Sequence, residues 1–65
     1  MVTVNGEEIP FVEGETLARL IVRCGYKSGR IAAEVNGNIV PRAKHDEFIV
    51  KTDDRIEIVG LIGGG

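Results

Sequence analysis

Apolar and polar positions along the chain switch period twice. Val2 and Val4 alternate with Met1 and Thr3, the two-residue rhythm of a strand with one buried face. Asn5-Gly6 follows, the strongest short-range hairpin signal, because both central residues of such a turn need positive φ. A second strand resumes in "EEIPFV", with Ile9 and Phe11 on one face. Pro10 cannot donate to a ladder, which sends this strand to a sheet edge. The rhythm then lengthens. Leu17, Leu20, Ile21 and Cys24 fall at i, i+3, i+4 and i+7, one stripe of a helix. Thr16 suits the N-cap, Glu15 the positive helix end, and Gly25 the position just past the C-cap. A helix of about eight residues does not stand alone in water, so its stripe has to pack on a sheet.

Period two returns after the loop "YKSGR". Ile31, Ala33 and Val35 alternate, Asn36-Gly37 repeats the turn signal, and "NIVP" reads as a short return strand stopped by Pro41. "RAKHDE" is polar and reads as a turn or a single helical turn. "FIVKTDD" is extended and runs into a tight turn at Asp53-Asp54. "RIEIVGLI" is the last strand, with Ile56 and Ile58 on one face and Arg55, Glu57, Val59 and Leu61 on the other. Strands on both sides of one helix argue for an α+β fold. The architecture expected is a β-grasp: a mixed sheet of four or five strands, one helix on one face, the last strand central and beside the first. The domain is expected over 1–62, with 63–65 as a flexible glycine tail.

Composition narrows the class of protein. The 65 residues are 43% hydrophobic and 28% charged, the balance of a globular chain. The single cysteine excludes an internal disulfide, so a reducing, cytoplasmic setting is expected. No signal-peptide pattern opens the sequence, and no apolar run reaches the ~18 residues of a membrane span. With a net charge of −2 and scattered Lys and Arg, a nucleic-acid backbone binder is disfavoured.

Little in the chain can carry catalysis. Cys24 lies on the apolar stripe and reads as a small buried hydrophobe. His45, the sole histidine, reads as a surface-loop residue rather than half of a dyad or a metal ligand. The acid pairs Glu7-Glu8, Asp46-Glu47 and Asp53-Asp54 read as solvated turn charges. No helix follows the terminal glycines, so they are not a phosphate loop. No catalytic residue and no metal site are therefore expected, and the chain is not read as an enzyme.

The tail remains. Gly63-Gly64-Gly65 loses much backbone entropy on ordering and adds nothing to a fold. It leaves directly from a hydrophobic strand. A chain without Cβ atoms can thread a narrow channel and bring a main-chain carboxylate to another enzyme's reactive centre. A carboxylate is a poor electrophile and needs activation, for instance as an acyl-adenylate, before a sulfur nucleophile can displace AMP.

Four stretches carry a family resemblance: "VTVNGEEI", "AAEVNGNIVPR", "DRIEIV" and "GLIGGG". Together they span essentially the whole chain, which resembles the ThiS family of ubiquitin-like sulfur carriers of thiamine biosynthesis. It departs from the family's pattern at His45, often an aromatic there, at Asp53-Asp54, often Gly-Asp, and in ending on three glycines. The resemblance implies a carrier without a bound cofactor, and an unblocked tail suits a free monomer between encounters. An E1-like adenylating enzyme would activate the Gly65 carboxylate with ATP. A cysteine desulfurase or another donor would supply the sulfur, and thiazole synthase would receive it. Gly63 and Gly64 would thread the partner's active site. Docking is expected on the sheet face opposite the helix, through Val59 and Leu61, with Arg42 and Arg55 as a polar rim; ordinary solvated surface is the alternative for all four. Three rival readings stand beside this one: a carrier for molybdopterin, tRNA thiolation or cysteine; a ubiquitin-like protein modifier; and a β-grasp binding module with incidental glycines.

Overall fold

The structure is a computed structural model, and it describes residues 1–26 and 31–60. Among these, β1 (Val2–Val4) and β2 (Glu7–Ile9) form a hairpin, followed by the helix α1 (Leu17–Arg23). Then come β3 (Ile31–Val35), β4 (Asn38–Val40), a single 3-10 turn at Arg42–Lys44, and β5 (Arg55–Gly60). The sheet order is β2-β1-β5-β3-β4. The last strand is central, parallel to β1 and antiparallel to β3, as the β-grasp reading expects.

Both hairpins turn where the sequence places them. Asn5 and Gly6 have φ of 51° and 86°, and Asn36 and Gly37 have φ of 54° and 87°. Such turns match the twist of the strands they join. β2 is shorter than expected. It stops at Ile9, because Pro10 has no N–H to continue the ladder, although Ile9 and Phe11 both pack against the core. Both edge strands are three residues long and are followed by proline, which blunts the sheet edges against further pairing.

The helix buries the expected stripe. Leu17, Leu20 and Ile21 are at most 2% exposed, and each buried side chain of this size stabilises the fold by about 1.5–3 kcal/mol. They meet Val2, Val4, Ile31, Ala33, Val35, Ile56 and Ile58 from the sheet. Cys24 is only half-buried at the stripe's end. Thr16 is the N-cap, its Oγ1 accepting from the Arg19 N–H at 3.2 Å. At the other end Gly25 N–H donates to the Val22 carbonyl and Tyr26 N–H to the Ile21 carbonyl, the paired bonds of a Schellman motif, with Gly25 at φ 92°.

Two polar residues contradict the reading of their loops as solvated. His45 is 6% exposed. The first helical N–H groups need acceptors, and the loop after the 3-10 turn supplies them. Leu17 N–H donates to the Phe48 carbonyl at 2.8 Å and Ala18 N–H to the His45 carbonyl at 3.0 Å. Capping the helix draws His45 inward, where its Nε2–H donates to the Val40 carbonyl at 2.9 Å. Asp54 is 8% exposed. Its Oδ1 accepts from Asn36 Nδ2 at 3.0 Å and its Oδ2 from the Lys51 N–H at 2.8 Å, so it ties two turns together at the start of β5.

Candidate functional site

β5 sets the geometry of the site. Ile56 and Ile58 point to the helix and are buried; Arg55, Glu57 and Val59 point to the open face. The strand lies between β1 and β3, so Gly60, the last described residue, ends the middle strand of the sheet. Leu61, Gly63, Gly64 and Gly65 lie outside the described residues. What the structure describes is their root.

Around that root the open face is partly apolar. Val59 is 57% exposed and pairs across β3 with Ala32. Ile39, 70% exposed, reaches the same face from β4 through its register with Glu34. Glu34 and Glu57 stand directly opposite each other. Like charges in register weaken a sheet, so this face is not arranged for stability.

The expected polar rim does not assemble. Arg55 shares the open face with Val59 but begins the strand, four residues away along the strand or about 13 Å. Arg42 lies on the other side. It borders a depression of about 250 Å³ together with Ala18, Val22 and Ile31, below the helix. The structure therefore pairs Val59 with Ala32 and separates it from both arginines, while Ile39 lies on the same face two strands away, beside Glu34. Ile39 becomes legible as a residue of this face only once its register with Glu34 is known.

Nor do the described residues assemble a catalytic constellation. Cys24 borders a depression of about 430 Å³ with Asn5, Ile9 and Tyr26, whereas His45 borders the one beside Arg42. Burial pushes the Cys24 thiol above its ordinary value; the Arg23 guanidinium opposes that shift. A thiol held protonated is a poor nucleophile. Among the described residues no three His, Cys, Asp or Glu side chains converge as a metal site would require. Arg23 is spoken for: it holds Glu15 through two bonds of 2.9 Å and the Pro10 carbonyl at 3.0 Å. The hydrogen bond to Glu15 raises the guanidinium's proton affinity further. No described helix is long and apolar enough to cross a membrane.

The model of the ThiS family matches residues 2–65. The fold superposes on the crystal structure of a thiamine biosynthesis protein (ThiS) from Geobacter metallireducens with a TM-score of 0.78, at 27% identity, covering 98% of this chain and 97% of that one. The solution structure of a thiamine biosynthesis protein from the same organism gives a TM-score of 0.77 over 98% of this chain and 86% of that one. A protein of Porphyra purpurea called "Uncharacterized protein ycf40" is 30% identical over 64 residues, 98% of this chain and 90% of that one. A thiazole synthase of Paramagnetospirillum magneticum is 39% identical over 62 residues, 95% of this chain. A thiazole synthase of Magnetococcus marinus is 36% identical over the same length. The chain spans about a fifth of the length of those two synthases, 19% in each case.

Proposed function

The chain belongs to the ThiS family, and from that premise we propose that it is a sulfur carrier whose Gly65 carboxylate is the working group. An E1-like enzyme joins that carboxylate to the α-phosphate of ATP, with pyrophosphate leaving. Sulfide then attacks the acyl carbon and AMP leaves, giving a thiocarboxylate; where a cysteine desulfurase supplies the sulfur as a persulfide, the acyl disulfide formed is cleaved by a thiol reductant to the same product. Thiazole synthase takes the sulfur for the thiazole of thiamine. The carrier is thus a protein substrate rather than an enzyme, and Gly63 and Gly64 are the arm that enters the partners' active sites.

The observation that supports this reading is that β5, which runs into the glycine-rich stretch of the sequence, is the central strand of a ThiS-type fold. A strand held on both sides is a firm root, and glycines without Cβ atoms leave the carboxyl carbon open to attack. The synthase as acceptor is supported by two thiazole synthases that each contain a segment resembling this whole chain. Docking through Val59 and Ala32 is supported by their exposure near the end of β5, with Ile39 exposed on the same face two strands away; Leu61 is a further candidate from the sequence alone, Arg55 lies at the other end of the strand, and Arg42 serves only a partner that reaches round to the helix side.

The test is direct. Incubation with the adenylating enzyme, ATP and sulfide exchanges one carboxyl oxygen for sulfur, read by intact-mass spectrometry. Deleting Gly65, or extending the chain beyond it, abolishes the exchange and leaves thermal stability nearly unchanged. A chain that gains no sulfur from any such enzyme of its own cell defeats the proposal.

A further inference from the structure

β5 runs on after its neighbour has turned away. β1 ends at Val4 and leaves through Asn5-Gly6, while β5 continues to Gly60. The Asn5 backbone N–H still donates to the Ile56 carbonyl at 2.9 Å. Beyond that bond β1 has no backbone to offer. The Asn5 side chain takes its place. Its Oδ1 accepts from the Ile58 N–H at 2.7 Å, and its Nδ2 donates to the Ile58 carbonyl at 3.1 Å. A primary amide carries the same kind of donor and acceptor as a peptide group, so the side chain imitates one more strand residue.

The same Nδ2 also donates to the Tyr26 phenol oxygen at 2.8 Å. Tyr26 is itself fixed, because its N–H closes the Schellman motif on the Ile21 carbonyl. The β3 side offers Ile58 nothing. Asn36 N–H donates to the Arg55 carbonyl, and bonded pairs alternate along an antiparallel ladder, which leaves Ala33 opposite Ile58 unbonded. Among the described residues the grip on the Ile58 N–H and carbonyl comes from Asn5, braced by the helix terminus through Tyr26. It sits two residues before the end of the described strand.

We propose that Asn5 and Tyr26 are positioning residues for the tail, fixing the point and direction from which the glycine arm leaves the sheet. The proposal rests on the carrier reading. A glycine-rich arm has a mean reach of about 5–6 Å times the square root of its length, so each residue that frays from the root spreads the carboxylate through a larger volume. Fewer encounters then place it at the reacting atoms, while the open-face surface that docks is untouched.

Asn5→Asp keeps the size and the tolerance of positive φ but removes both donated bonds. The Tyr26 hydroxyl can rotate to donate to the new carboxylate; the Ile58 carbonyl then faces an oxygen. Tyr26→Phe removes only the brace. With the adenylating enzyme, ATP and sulfide, Asn5→Asp is expected to lower kcat for thiocarboxylate formation roughly three- to tenfold with KM within about twofold, and Tyr26→Phe to lower it less. A wild-type kcat in both variants overturns the inference, as does a change confined to KM, which would make Asn5 part of the docking surface. If Asn5→Asp fails to fold, an unchanged kcat in Tyr26→Phe decides against it. Wild-type protein that gains no sulfur defeats the carrier reading and this inference with it. Amide order parameters at Val59 and Gly60 test the grip without any enzyme: they fall in the folded variant, and unchanged values overturn it.

Discussion

The chain contains the same turn twice. Asn5-Gly6 and Asn36-Gly37 share a sequence, a left-handed backbone and a place between two antiparallel strands. In both, the asparagine side chain is caught by β5. Asn36 works at the start of that strand. Its Oδ1 accepts from the Arg55 N–H at 2.9 Å and its Nδ2 donates to the buried Asp54 carboxylate. Asn5 works near the strand's end, on a peptide and an exposed phenol. One turn closes a partly buried knot that includes a charge; the other braces a strand where the chain departs. Identical local chemistry therefore serves stability at one end of β5 and direction at the other.

The same substitution at both turns breaks or sharpens that contrast. Asn36→Asp sets a carboxylate against Asp54 where a donor now lies at 3.0 Å. The expected loss is about 2–3 kcal/mol, since a buried charged acceptor loses its partner and meets a like charge. Asn5→Asp is expected to cost only about 0.5–1 kcal/mol, because the bonds it loses are partly open to water. Urea midpoints at neutral pH measure both, and equal losses would mean that the two ends do not differ. A smaller effect comes from exchanging the partners. Asn36→Asp with Asp54→Asn restores a donor-acceptor pair, and the amide oxygen introduced at position 54 can still accept from the Lys51 N–H. The double variant is expected to recover about 1–2 kcal/mol over the sum of its parts, the coupling read from a double-mutant cycle. Purely additive losses would show that the knot is not a pair.

What the sequence told in advance was local. Asn-Gly at 5–6 and 36–37, the stripe Leu17-Leu20-Ile21, the Thr16 cap and Gly25 all follow from positions a few residues apart. The central placement of β5 follows from pattern plus the β-grasp expectation. What escaped is set by partners distant in sequence. His45 looks solvated because its neighbours are polar, yet the helix start needs the loop's carbonyls. Asp54 looks like a turn charge because the donors on it come from Asn36 and Lys51. Arg42 falls close to the sheet in sequence and so groups with Val59, but the 3-10 turn carries it to the helix side. The second task of each turn asparagine has no sequence signal beyond the turn itself, since the same residue is already accounted for by its positive φ.

The smallest effect belongs to the strand-exit side alone. Cys24 borders the same depression as Asn5 and Tyr26. Burial raises its thiol above the ordinary value of 9.0; Arg23 pulls it down, and the carboxylates of Glu15 and Glu7 add to the rise. The folded chain therefore holds this proton more tightly than the unfolded chain does. Its contribution to stability is complete well below the ordinary value of 9.0 and is lost as pH rises through the folded value. Cys24→Ala removes the thiol and with it this dependence. The stability difference between wild type and Cys24→Ala is thus flat up to about pH 8 and shrinks in the alanine variant's favour as the solution becomes more alkaline. A difference that stays flat through the whole alkaline range would mean that the thiol is as well solvated in the fold as out of it. The knot at Asp54, which has no thiol beside it, supplies the internal control: the Asn36→Asp penalty is expected to keep its size across the window in which the Cys24 contribution disappears.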